Sequence, residues 1–161
     1  MPTPTREQVY SALYGLVSEV QWNIGTETVP DMQGFATTTR KIKLFSDVPG
    51  QQQPWFGQAE HSETVNQKTN LPYKRVFSAS WMVYHQAAAN PSYTPSTLNN
   101  LIADALEDMM APRISDPGWL DERNTLSGLV WHCFIEGEVF KDPGDIDGQG
   151  LLIIPIKILV P

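Results

Sequence analysis

The stretch from Leu126 to Val160 constrains this chain more than any other. It reads LSGLVWHCFIEGEVF, then KDPGDIDGQG, then LLIIPIKILV: two strand-like runs joined by a segment dense in Gly, Pro and Asp. Such a pair predicts a C-terminal antiparallel β-hairpin with an acidic tip. Strand alternation puts Leu129, Trp131, Cys133, Ile135 and Val139 on one face, with Leu152, Ile154, Ile156, Ile158 and Val160 as their expected partners. Pro155 falls on the opposite face and has no N–H, so an edge or a bulge is expected there, and an edge is where a second subunit can dock.

Upstream, the chain offers two helices and three more strands. Thr5-Arg-Glu-Gln8 reads as a capping box, and Val9, Leu13, Leu16, Val17 and Val20 recur at helical spacing behind it. Thr37–Phe45, rich in β-branched residues, reads as a strand, with DVPGQQQP (47–54) as a loop and Trp55–His61 as a further strand. The polar run 62–72 connects to Tyr73–His85, whose odd positions Tyr73, Phe77, Ala79, Trp81 and Val83 form an apolar face. Thr94-Pro95 opens a second helix with the stripe Leu98, Leu101, Ile102, Ala105, Leu106 and Met109, and Pro112 stops it. Residues 111–124 form a loop, with Trp119 and Leu120 expected to pin it to the core. Element order is therefore helix, three strands, helix, two strands. The expected fold is a single α+β domain over 1–161, with an antiparallel or mixed sheet of about five strands and two helices packed on one face.

Charge is unevenly placed. Residues 1–90 hold seven Lys/Arg against seven Asp/Glu, whereas residues 91–161 hold four against eleven, so the whole net charge of −7 sits in the second part. An acidic surface repels the nucleic-acid backbone. The basic residues Arg40, Lys41 and Lys43 read instead as an edge defended against mispairing. The longest apolar run, LLIIPIKILV, falls short of a membrane span and is broken by Pro155 and Lys157. MPTPTREQ lacks a secretory pattern, and a lone Cys133 forms no internal disulfide, so folding in a cytosol is expected.

Catalytic patterns fail in turn. His132 and Cys133 are adjacent, but strand neighbours point to opposite faces, so they form no thiol–imidazole dyad. One cysteine with the scattered His61, His85 and His132 is no zinc set. Placing Asp145 and Asp147 as the third and fifth ligands of a calcium loop puts Pro143 first and Ile154 twelfth, where carboxylates are needed. Neither a phosphate-cradling GxxxxGK[ST] nor GxGxxG or GxSxG is present. No cofactor or metal is expected.

Three phrases stand out beside the element order: QQPWFGQ at 52–58, the helix core Leu101-Ile-Ala-Asp-Ala-Leu106, and Asn124-Thr-Leu-Ser-Gly128-Leu-Val followed by the Glu136-Gly-Glu138 strand. In these phrases and in element order the chain resembles the bacteriophage tail terminators, or tail completion proteins. The resemblance implies a non-enzymatic subunit that closes into a ring, usually a hexamer, on the head-proximal end of the virion's tail. Such a ring, assembled in the host cytoplasm, caps the tail tube, stops its polymerisation and meets the head connector. DNA then passes through the lumen without specific binding, and no membrane is involved. Glu136, Glu138, Asp142, Asp145 and Asp147 are the candidate lumen or interface residues. Two alternatives stand beside this reading: a connector, neck or tube subunit of the same virion, and a small hydrolase using His85 or His132.

Overall fold

The computed structural model describes residues 3–18, 34–86, 95–144 and 146–161, and the fold is α+β. Helix α1 (Arg6–Ser18) starts at the capping box: the Gln8 N–H donates to Thr5 Oγ1 at 3.2 Å, and the Thr5 N–H donates to Gln8 Oε1 at 2.8 Å. Val9, Leu13 and Val17 of the expected stripe are buried, together with Tyr10. Val20 lies outside the described residues.

Among the described residues six strands form one mixed sheet: β1 (Thr37–Thr39), β2 (Trp55–Val65), β3 (Arg75–Gln86), β4 (His132–Ile135), β5 (Phe140–Asp142) and β6 (Gln149–Val160). Their order is β1-β2-β3-β6-β4, with β5 also paired to β6. Only β1 runs parallel to its neighbour β2, and the other pairings are antiparallel. Helix α2 (Pro95–Met110) separates β3 from β4.

Both helices cover one face of this sheet. Val9, Leu13 and Val17 of α1, and Leu98, Ile102 and Leu106 of α2, join the same core as Phe77, Ala79, Trp81 and Val83 of β3. The alternation read from β3 and β6 is realised: Phe77, Trp81, Val83, Leu152 and Ile158 are each fully buried, with Ala79, Ile154 and Ile156 nearly so. Fully burying an aliphatic or aromatic side chain stabilises by roughly 1.5–3 kcal/mol relative to exposure, so this face supplies most of the driving force. A smaller cluster of Val48, Trp55 and Tyr84 occupies the opposite face, where the Trp55 and Tyr84 rings stack with centroids 4.7 Å apart.

Three expectations change. Thr37–Phe45 is a strand only to Thr39; the chain then turns across the opposite face, where the Tyr84 hydroxyl donates to Lys43 O at 2.8 Å. Strand β2 runs on to Val65 through an irregularity between Glu60 and Glu63, which shortens the connection read at 62–72. The first arm of the C-terminal hairpin is not one strand. It begins at His132 and is interrupted between Ile135 and Phe140.

That interruption has a countable cause. Ile135 pairs with Ile156 and Phe140 with Ile153, so four residues of one arm face two of the other. A bulge of two extra residues keeps the alternation in phase on both sides of it. Gly137, with φ 123°, makes the bend, and Pro155 lies directly across it. The bulge thus lies on the arm facing Pro155 and not on β6, where an edge or a bulge was expected: β6 pairs with β3 in unbroken register and is an inner strand with neighbours on both sides.

Candidate subunit interface at the acidic hairpin

The acidic arm is carried by β4, β5 and the turn into β6. Glu136 and Glu138 stand exposed on the bulge, and Glu136 pairs with Lys157 of β6 at 3.1 Å. Glu138 has no ion-pair partner among the described residues. Asp142, at the end of β5, accepts the Gly144 N–H at 2.9 Å, and Asp147 accepts the Gln149 N–H at 2.9 Å. Both are side-chain turns of the kind Asp makes two residues ahead of itself, so they hold the tip as well as charging it. Asp145 lies outside the described residues. The carboxylates form two groups, one at the bulge and one at the tip, separated by the length of β5. Among the described residues no three His, Cys, Asp or Glu side chains are grouped to hold a metal ion.

Apolar side chains share this end of the molecule. Phe140 is 48 % exposed on β5, and Ile146 is fully exposed at the tip. In the loop before the hairpin, Trp119 and Leu120 are exposed at 42 % and 92 %, and Ile114 at 81 %, so they do not pin that loop to the core as expected.

Asp116 pins it instead. Its carboxylate accepts the Gly118 N–H at 2.8 Å, the Thr125 N–H at 2.9 Å, the Ser127 N–H at 3.4 Å and the Thr125 hydroxyl. Burial by itself raises the carboxyl's pKa, but these four donors outweigh it and hold the group below its ordinary value. Asn124 completes the knot: its Nδ2 donates to Met110 O at the end of α2, and its Oδ1 accepts the Leu126 N–H. Three successive residues, Leu126, Ser127 and Gly128, then adopt positive φ of 48°, 62° and 87°. Left-handed Leu and Ser cost energy that the surrounding hydrogen bonds must offset. The phrase Asn124–Val130 is thus a tightly bonded turn, not the start of a strand. Arg123 closes it from outside, donating to Trp131 O at 2.7 Å with its guanidinium 3.7 Å from the Trp131 ring centre. Trp131 is held there and stays outside the core.

The histidine alternatives can be placed as well. His85 is 1 % exposed, and its Nε2 lies 2.6 Å from Asn99 Oδ1, so Nε2 carries the proton and donates. Burial lowers the pKa of His85 and favours the neutral ring. A Cβ on Gly150 would lie 2.0 Å from the imidazole, so the ring occupies space only glycine leaves open. Asn99 was visible as a partner in principle: it stands three residues before Ile102 and seven before Leu106, on the apolar stripe. His132 stacks on Phe134 with ring centroids 4.7 Å apart, while Cys133 is buried in the core and contacts Met110 Sδ at 3.5 Å. Burial pushes the Cys133 thiol far above its ordinary pKa, leaving no thiolate at neutral pH. The two neighbours lie on opposite faces, as strand alternation requires.

No protein-family model matches the sequence, and no curated protein matches it. Among the described residues no helix is long and apolar enough to cross a membrane.

Proposed function

We propose that this chain is the ring-forming tail terminator of a bacteriophage: it closes on the head-proximal end of the tail tube, stops polymerisation there and offers a surface to the head-side connector. One observation carries the reading. A well-packed α+β domain carries an exposed hairpin that combines the exposed carboxylates of Glu136, Glu138, Asp142 and Asp147 with exposed Phe140 and Ile146, an arrangement suited to contact with other subunits. Its acidic charge suits a lumen through which DNA must slide without adhering. The family resemblance of Asn124–Val130 supports the same reading, as does the burial of His85, one of the two histidines on which the hydrolase alternative rests.

The subunit on this reading acts by shape and charge and is not an enzyme. Its partners are further copies of itself, usually six to a ring in the family it resembles, the tube protein, and the connector or neck. It resides in the virion tail after assembly in the host cytoplasm. Withholding the chain during tail assembly is expected to give tubes of uncontrolled length that fail to join heads, measured on electron micrographs. Adding the purified chain to growing tubes is expected to stop their elongation. Tubes of normal length that join heads in its absence would contradict the proposal.

A further inference from the structure

We infer that the segment Lys41-Ile-Lys-Leu44 of one copy packs against the β4–β5 bulge of the next, forming the seam between adjacent subunits. The occupant of the seam, a second copy of this chain, rests on the ring reading above.

The first surface is a strand-type sequence that finds no strand partner among the described residues. Lys41, Ile42, Lys43 and Leu44 are all exposed, with Ile42 at 40 % and Leu44 at 70 %, and Leu44 has extended dihedrals (φ −70°, ψ 152°). Neither lysine makes an ion pair among the described residues, whereas the preceding Arg40 is taken up by Glu7 and Glu60. The segment is anchored from beneath, through Tyr84 on Lys43 O and the Asp47 N–H on Leu44 O at 3.0 Å, so it is presented in a fixed position.

The second surface carries the opposite charge with the same apolar admixture. Glu136, which also pairs with Lys157, and Glu138, with no ion-pair partner among the described residues, flank Gly137 on the bulge, followed by exposed Phe140. Sheet order puts β2, beneath the lysine segment, three strand spacings from β4, roughly 14 Å away. The two surfaces therefore lie toward opposite edges of the sheet, and among the described residues no ion pair joins them. Complementary patches on opposite sides make a head-to-tail contact, which closes into a ring when successive rotations return to the start. The tip carboxylates Asp142 and Asp147 stay outside this contact and remain available to a lumen.

The test is the native mass of the purified full chain and of three variants: Lys41→Glu/Lys43→Glu, Glu136→Lys/Glu138→Lys, and all four changes in one chain. Each double reversal sets like charges against each other and is expected to weaken assembly by roughly tenfold or more, while the fourfold variant restores it. As all four sites are exposed, melting temperatures close to wild type verify that folding is retained. A measurement on the unaltered chain stands beside them: raising salt from about 0.05 to about 0.5 M is expected to shift the wild type toward monomer. Oligomers indifferent to salt and to both reversals overturn this seam and leave the ring reading standing. Failure of the fourfold variant to reassemble overturns it too. A wild type that stays monomeric both alone and with tail tubes counts against the ring reading itself, and the seam falls with it.

Discussion

Replacing Trp81 by alanine is expected to destabilise the protein by about 3–5 kcal/mol, the range for removing a large aromatic from a packed interior. Trp81 is fully buried at the centre of β3, paired across the sheet with Gln58 on one side and Ile154 on the other. Its ring meets Phe56 edge-on with centroids 5.8 Å apart, and its Nε1 donates to Gln58 Oε1 at 3.3 Å. Truncation leaves a cavity beneath both helices and strips a buried amide oxygen of its donor, two costs that add. For a chain of this size the melting temperature should fall by roughly 10 °C. Calorimetry of the variant checks it, and a fall of a degree or two would mean that the core is not organised around this ring.

Asp116→Ala is the second large effect, expected at about 3 kcal/mol near neutral pH, because buried donors lose a charged acceptor. The acid dependence has a definite sign. The folded carboxyl titrates below its ordinary value of 3.8, so its stabilisation is complete above that value and is lost as the pH falls through the lowered one. Urea unfolding of wild type and variant should therefore show a gap that is constant from neutral to mildly acid pH and closes below about pH 4. A gap that stays open in acid would mean that the carboxylate's charge contributes nothing. Loss of this knot also frees Leu126 and Ser127 from their left-handed conformations, so the turn leading into the hairpin should become the first region to exchange amide hydrogens.

What was legible in the sequence follows from which forces act locally. The capping box, the α2 stripe and the alternation of β3 and β6 are set by neighbours along the chain and by burial on one face, and each was readable from period alone. The split of the first hairpin arm was not. A two-residue bulge leaves the alternation in phase, so LSGLVWHCFIEGEVF looks continuous even though Gly137 bends it. The turn at Leu126–Gly128 was hidden for a related reason: its left-handed residues are held by Asp116 and Asn124, and only the Asp116-Pro-Gly118 turn signal hinted at them. Lys41–Leu44 has a strand's composition without a strand partner among the described residues, a difference that composition does not record. Of the five acidic candidates, Asp142 and Asp147 also serve the tip's own turns and Glu136 pairs with Lys157, while Glu138 has no ion-pair partner among the described residues.

Tails in which this chain alone carries a dense label, imaged by electron microscopy, reveal where it sits. A terminator gives one ring of label at the head-proximal end of each tube, at the junction with the head. Label spread along the tube, confined to the head, or missing from the particle would contradict that role.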